Sequence, residues 1–521
     1  MDLHFQLLAI CCVLAALLFY KTYIARTSRL EGKSKKAPEP SGAWPLLGHL
    51  HLLHGRDPLI RTLGSMADKY GPAFILRLGM RRALFVSSWE LAKECFTTND
   101  LVLATRPRSM AGKYIGYDYA MVGFIPYGPY WRQIRKILTV ELLSNRRLEL
   151  LKNIRYSEID MGVKGLHRKL EERGGGPVVV EMKRWFGDLT FNMLTMIVSG
   201  KRYFGSNGIS DEVEARRFQH AMDQIAYLAG VFVVSDALPF LKWMDVWGHE
   251  TAMKKVAEEM NSLISSWLHD HRLKRQSGKI DGGDRNFIDV MLSILEEEPL
   301  PDHDNDTVIK ATSVALVIAG SETTAITLTW AISLLLNNRH VIKRAQDELD
   351  EQVGRDRLVV ESDIKNLVYL QAIIKETMRL YPAAPLLLPH EAAKDCHVGG
   401  FHVPAGTQVF FNVWKIHQDP RVWLDPSEFR PERFITSHVD VDVRGQQFEY
   451  LPFGSGRRAC PGITFAMQVM HLTLARLLHA FHLDTPNGQP VDMTEGLGLT
   501  IPKSTQLEVL WTPRLPSHLY K

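Results

Sequence analysis

The sequence predicts a mainly α-helical fold with a smaller β region, set behind a single N-terminal transmembrane helix. Three observations carry that expectation. Apolar residues between about 129 and 380 recur at helical spacing, interrupted by loops such as RGGGP (173–177) and SGKIDGGD (277–284). The stretch from about 307 to 336 is mostly apolar and free of proline, as befits a helix buried through a large domain. Residues 7–20, LLAICCVLAALLFY, form an unbroken apolar run with Lys21, Arg26, Arg29, Lys33, Lys35 and Lys36 behind it.

That first run extends back to Leu3, so residues 3–20 are assigned as the membrane anchor. A cleaved signal peptide is the competing reading. It needs a basic leading region and a small-residue cleavage site, whereas Asp2 is the only charge before the run. The basic flank places everything after the anchor on the cytosolic side. The charge balance agrees. The 521-residue chain carries 62 Lys and Arg against 58 Asp and Glu, and the whole excess of +4 lies in residues 1–36. A nucleic-acid binder carries its surplus on the folded body, so that class is set aside and no nucleic-acid partner is expected. Five cysteines (Cys11, Cys12, Cys95, Cys396, Cys460) are too few and too odd in number for a disulfide scaffold.

Next comes APEPSGAWPLLG (37–48), where Pro38, Pro40 and Pro45 fix φ and withdraw N–H donors. It reads as a stiff, extended hinge, or equally as a generic loop; residues 21–48 are assigned as basic flank and hinge. AFILRLGMRRALFVSS (73–88) predicts two strands around a Gly79 turn. In the long helix, Ala311, Ala315, Ala319 and Gly320 leave room alongside. Beyond Pro382 the chain turns to short strands and loops, and residues 463–479 return to helix. No polar linker divides residues 49–521, which read as one unit.

Four groups of residues carry chemistry. FGSGRRACPG (453–462) places Cys460 in a glycine-rich turn before a helix, with Arg458 close by. A helix N-terminus and a cation both favour thiolate, the form that binds a soft or redox metal, although an isolated cysteine is more often simply buried. AGSETT (319–324) puts Glu322 and Thr323 in the middle of the apolar helix, where an acid is costly without a task or a partner. Gly320 would widen the space there. Glu376 and Arg379 in KETMRLYP share a helix face, as do Glu181–Arg184 and Glu214–Arg217, which read as solvated pairs. Trp131 and Arg135 in YWRQIRK stand one helical turn apart.

In Phe453, Gly456, Arg458, Cys460 and Gly462 the loop resembles the cysteine-ligand signature of the haem-thiolate monooxygenases, the cytochrome P450 family. The resemblance implies haem b held by the Cys460 thiolate. It implies that Glu322 and Thr323 deliver protons to dioxygen so that its O–O bond breaks heterolytically. With FRPERF (429–434) downstream, it implies a buried structural network of Glu376, Arg379 and Arg433. Trp131, Arg135 and Arg458 take the place of haem-propionate contacts, and His390 in PLLLPHEA stands where many members have arginine. That histidine would offer a hydrogen bond with a pH-dependent charge. Gln418 replaces the arginine of a common Arg-Asp-Pro triplet, a surface variation.

The resemblance spans the whole chain. APEPSGAWPLLGHLHLL, ATRPRSMAGKYIGYDYAMVGFIPYGPYWRQIRK and LPHEAAKDC are similar to a microsomal plant enzyme of the A-type, CYP82-like branch, which modifies alkaloids, flavonoids, lignans and terpenoids. It implies hydroxylation or oxidative demethylation of a small apolar or aromatic metabolite at the endoplasmic reticulum membrane. Electrons would come from NADPH through NADPH–cytochrome P450 reductase, which would meet a basic surface including Arg132, Lys136 and Arg457. Substrate would be selected by residues 110–126 (with Tyr114, Tyr117, Tyr119 and Phe124), about 220–240, 311–323, 384–388 and 497–501. The alternatives are an isomerase or dehydratase on the same fold, against which the intact Glu322–Thr323 pair speaks, and a non-catalytic haem carrier or sensor. A zinc site on Cys396–His397 lacks a second ligand pair of matching spacing.

Overall fold

The computed structural model describes residues 35–53, 58–205, 212–241, 243–245, 247–278 and 285–520. The anchor assigned to residues 3–20, and the basic flank up to residue 34, lie outside the described residues.

Seven helices position the site: α1 (Pro129–Lys136), α2 (Met182–Ser199), α3 (Glu212–Gly230), α4 (His249–Gln276), α5 (Asn305–Asn337), α6 (Val368–Leu380) and α7 (Ile463–Ala480). The organising element is α5, 33 residues long. Asp304 caps it, accepting from the Thr307 N–H at 2.9 Å. By length and composition α5 could cross a membrane, but 67% of its most apolar window is buried in the fold, which makes it a core helix.

Two hydrophobic clusters share this helix. Val308, Ile309, Ala311, Val314, Ala315 and Val317 pack with residues of α2, α3 and α4. Ala325, Leu328, Ala331, Ile332 and Leu335 pack with α6 and α7. Between the clusters, Ala319 is exposed and Gly320, Glu322 and Thr323 are half-buried, so the helix opens onto a space in the middle of the molecule.

The strands are β1 (Ala73–Leu78), β2 (Arg81–Val86), β3 (Val178–Glu181), β4 (His390–Glu391), β5 (Cys396–Val398), β6 (Phe401–Val403), β7 (Gln408–Phe411), β8 (Phe481–Asp484) and β9 (Glu508–Pro513). One sheet runs β1-β2-β7-β4, another β3-β9-β8, and β5 pairs with β6. β1 and β2 are antiparallel, with Ala73 opposite Val86, and β2 runs parallel to β7. Their turn needs glycine: Gly79 has φ +65°, and a Cβ there would lie 2.6 Å from Ala237 O.

Three expectations change. The 37–48 segment is docked on the body, and its 44–48 stretch is a tight turn. Ile75 N–H donates to Pro38 O at 2.8 Å, Trp44 and Gly48 bond each other across a tight turn, and Ala37 is buried. Proline carbonyls remain good acceptors, and β1 supplies the donors. Gly320 does not widen the open face of α5. A Cβ on it would meet Leu194 Cδ1 at 2.7 Å, so its role is the close approach of α2. Neither of the other Glu-x-x-Arg patterns is an ion pair. Glu181 caps α2, accepting from Lys183 and Arg184 N–H, while Glu214 accepts from Tyr203 Oη at 2.8 Å and Arg217 bonds Glu259 at 3.2 Å.

Candidate functional site

The Cys460 loop is built by turns. Gly456 has φ +65° and sits against Asp100, whose carboxylate holds the Arg457 guanidinium and its backbone N–H. Cys460 N–H donates to Phe453 O at 3.0 Å, which closes the loop before α7 begins at Ile463. The side chain is a free thiol, half-buried. Burial pushes the thiol up; the Gly462 N–H, 3.3 Å from Sγ, and the Arg135 cation both pull it down. The cation acting on the sulfur is Arg135, rather than the Arg458 that lies closer in sequence. Arg135 Nη1 donates to Ala459 O at 2.7 Å, which ties α1 to the loop.

Beside the loop stands a cluster of cations. Arg458 donates to Ala104 O at 2.6 Å and to Ile125 O at 2.6 Å, and its guanidinium lies 4.4 Å from the Trp131 ring centroid. Arg106 donates to Leu388 O at 2.7 Å and Pro389 O at 2.9 Å, while its Nε is buried without a partner. Burial pulls Arg106 down to about 9. Burial, then Arg106 and Arg135, pull Arg458 down to about 8. Among the described residues no carboxylate pairs with Arg106, Arg135 or Arg458; their recorded acceptors are carbonyls. Buried guanidiniums are stable as cations only with an anion to meet them. Two propionates on a flat macrocycle, with a thiolate to ligate its iron, fit this donor set.

His390 does not join that cluster as a donor. Its Nδ1 lies 2.7 Å from Leu103 O, and a carbonyl only accepts, so Nδ1 carries the ring proton. Burial first, then Arg106 and Arg458, hold the ring well below the usual histidine range, and the Leu103 bond only partly offsets them. The ring is neutral, and its remaining nitrogen presents a lone pair. Arg106, absent from the sequence-based candidates, supplies the missing cation. Its one signal was an arginine inside the apolar stretch LVLATRP.

On α5, Thr323 Oγ1 donates to Ala319 O at 2.6 Å, both residues facing the opening between the two clusters. Burial raises the Glu322 carboxyl, and a bond from Thr500 Oγ1 at 2.6 Å opposes the rise. The 319–324 motif gave no hint of Thr500.

Behind the cysteine loop, Glu376 is fully buried and accepts from Arg379 Nε and Nη2 at 2.8 Å, Arg433 Nε at 3.0 Å and Arg430 N–H at 3.0 Å. Thus α6 and the 424–433 segment converge on one carboxylate. Cys396, the zinc candidate, lies buried in β5, and no cluster of three His, Cys, Asp or Glu suited to a metal occurs among the described residues.

The fold and this donor set define a haem-thiolate protein. The chain belongs to the cytochrome P450 family, whose sequence profile matches residues 38–509. It is 53% identical to strychnine-10-hydroxylase of Strychnos nux-vomica, over 94% of this chain and 93% of that one. It is 54% identical to xanthotoxin 5-hydroxylase CYP82C4 of Arabidopsis thaliana, over 94% and 95%. To flavonoid-6-hydroxylase of Mentha piperita it is 49% identical, over 98% and 99%. Among solved structures, a zebrafish cytochrome P450 with progesterone superposes with a TM-score of 0.74 at 26% identity, covering 88% of this chain and all of that one. The protein is therefore a haem-dependent monooxygenase with a cysteine thiolate ligand and an external redox partner.

Proposed function

We propose that this chain is a membrane-anchored monooxygenase that hydroxylates, or oxidatively demethylates, a small plant specialised metabolite such as a flavonoid or alkaloid. Electrons come from NADPH through NADPH–cytochrome P450 reductase. The catalytic unit is residues 49–521, held at the cytosolic face of the endoplasmic reticulum by residues 3–20. The observation that carries the reading is the gathering, around the loop that ends in Cys460, of three guanidiniums that no carboxylate among the described residues meets. The metabolite class is supported by the relatives, whose names span an alkaloid, a furanocoumarin and flavonoids.

Haem, when bound, supplies the centre at which dioxygen is activated and an oxygen atom is transferred to carbon. The residues do the rest. Cys460 supplies the thiolate, with the Gly462 N–H and the Arg135 cation placed to stabilise negative charge on sulfur. Arg106, Arg135 and Arg458 take the propionates, and Trp131 stiffens Arg458 by stacking. Glu322, its carboxyl raised by burial, holds a proton closer to neutral pH than a surface glutamate does, as suits a donor. Thr323 relays it: the hydroxyl oxygen has a lone pair to accept with, and its own hydrogen, donated at rest to Ala319 O, is the one passed on when the O–H turns away from that carbonyl. Glu376, Arg379 and Arg433 hold the frame behind the loop.

Membrane attachment is supported by an apolar face on the body. Trp44 and Leu47 are exposed, and so are Phe240, Trp243 and Trp247, with Trp243 78% accessible. The β1–β2 turn joins the two groups: Gly79 N–H donates to Leu47 O and Met80 N–H to Ala237 O. Tryptophan belongs at the membrane interface. On the proposed reductase side Arg132, Lys136 and Arg457 are exposed, and Arg457 is also paired with Asp100.

A binding-spectrum screen of the microsomal enzyme against flavones, alkaloids, furanocoumarins, lignans and terpenes tests the class. A spin-state shift picks out the substrate, and turnover then requires NADPH, reductase and oxygen together. Turnover without any one of the three overturns the reading. Thr323→Ala lowers product formed per NADPH consumed; a carrier or sensor would be indifferent to it.

A further inference from the structure

The acid of α5 is held by a residue far outside its own motif. Thr500 Oγ1 donates to Glu322 Oε1 at 2.6 Å, the length of a charge-assisted bond. Thr500 is buried, and the backbone beside it is pinned. Ile501 N–H donates to Ala383 O at 3.0 Å, and Trp330 Nε1, from α5 itself, donates to Ile501 O at 2.9 Å. On the other side, Leu499 lies against the end of α3 so closely that a Cβ on Gly230 would meet its backbone nitrogen at 2.5 Å. The hydroxyl is therefore presented from a fixed position. Thr323 takes no part in this bond, because its hydroxyl is committed to Ala319 O.

The charged groups acting on Glu322 are Asp223, from α3, and Lys183, from the start of α2. Burial raises Asp223 as well, while Lys183 and His220 lower it. Asp223 thus opposes the ionisation of Glu322, and the hydrogen bond from Thr500 favours it.

We infer that Thr500 is a positioning residue for Glu322: its hydroxyl anchors the carboxyl beside the opening of α5 and sets how readily that carboxyl gives up its proton. The inference rests on the reading of Glu322 as proton donor for its functional meaning, but not for its geometry.

The test uses the full-length holoenzyme, its haem content checked by the carbon monoxide difference spectrum. Infrared difference titration follows the protonated-carboxyl stretch, with Glu322→Gln identifying the band. Thr500→Val removes the hydroxyl and keeps the shape. A bond to an ionised group is worth about a factor of ten or more in proton affinity, so the midpoint moves up by about one pH unit. Thr500→Ser restores it. A midpoint that stays in place in Thr500→Val overturns the inference. Should that variant not hold haem, Thr500→Ala carries the same expectation and the same refutation. Reductase-driven NADPH oxidation is measured alongside as a function of pH. If Thr500→Val shifts the infrared midpoint while Glu322→Gln leaves NADPH oxidation unchanged at every pH, the positioning role stands and the donor reading of Glu322 fails.

Discussion

Glu376→Gln removes one negative charge from a dry cage while changing almost no volume. The carboxylate accepts four hydrogen bonds, three from the guanidiniums of Arg379 and Arg433 and one from the Arg430 N–H. Arg379 is fully buried and Arg433 nearly so. Their other partners are carbonyls: His417 O, Pro426 O and Glu428 O for Arg379, and Leu424 O, Asp425 O and Glu428 O for Arg433. Carbonyl dipoles solvate a guanidinium in part, but they leave two buried cations without a counter-charge. A glutamine amide also presents donors where donors already point. Removing one member of a buried ion pair costs about 3–5 kcal/mol, because the other member stays buried and charged. Against a total stability on the order of 5–15 kcal/mol, that is about a fifth or more. Urea unfolding of the holoprotein, followed by loss of the carbon monoxide difference signal, reads the change. A loss below about 1 kcal/mol would mean that water enters the cage, and the account of Glu376 as the carboxylate joining α6 to the 424–433 segment would be wrong.

Other outcomes follow from the same geometry. Arg106→Leu removes a buried cation whose partners among the described residues are Leu388 O and Pro389 O; it weakens haem retention, seen as faster transfer of haem to apomyoglobin, with secondary structure unchanged. Gly456→Ala forces a side chain into φ +65° and against the Asp100 carboxylate. It costs about 1–3 kcal/mol and lowers haem content, measured as the ratio of haem absorbance to protein. His390 keeps its proton on Nδ1, donated to Leu103 O, and stays neutral, so its ring nitrogens show no titration between about pH 6 and 8 in selectively nitrogen-15-labelled protein.

Much of the fold was legible because its signals are local. The β1–β2 hairpin, α5 and α7 announce themselves by their apolar runs, and the observed limits differ from the expected ones by a residue or two. The candidate site was legible where a motif is contiguous, as in 453–462, or where two halves carry matching patterns, as in 376–379 and 429–434. What the sequence hid was assembly across distance. Arg106 reaches the cation cluster because β4 and the segment before Met110 meet at a bridge between Thr105 and Glu391. Thr500 reaches Glu322 through a loop pinned by Trp330 and Ala383. Gly320 looked like space for a ligand and is a contact with Leu194, since a small residue on a helix serves either purpose and only the neighbour decides. His390 looked like a stand-in for arginine, but its Nδ1–H is donated to Leu103 O.

The most direct test concerns the sulfur. Reduced holoprotein exposed to carbon monoxide shows the red-shifted Soret band of thiolate-bound ferrous haem, and Cys460→Ser loses that band while the other four cysteines remain. Persistence of the red-shifted band in Cys460→Ser, or its loss on substituting Cys95 or Cys396 instead, would contradict the assignment of Cys460 as the haem ligand.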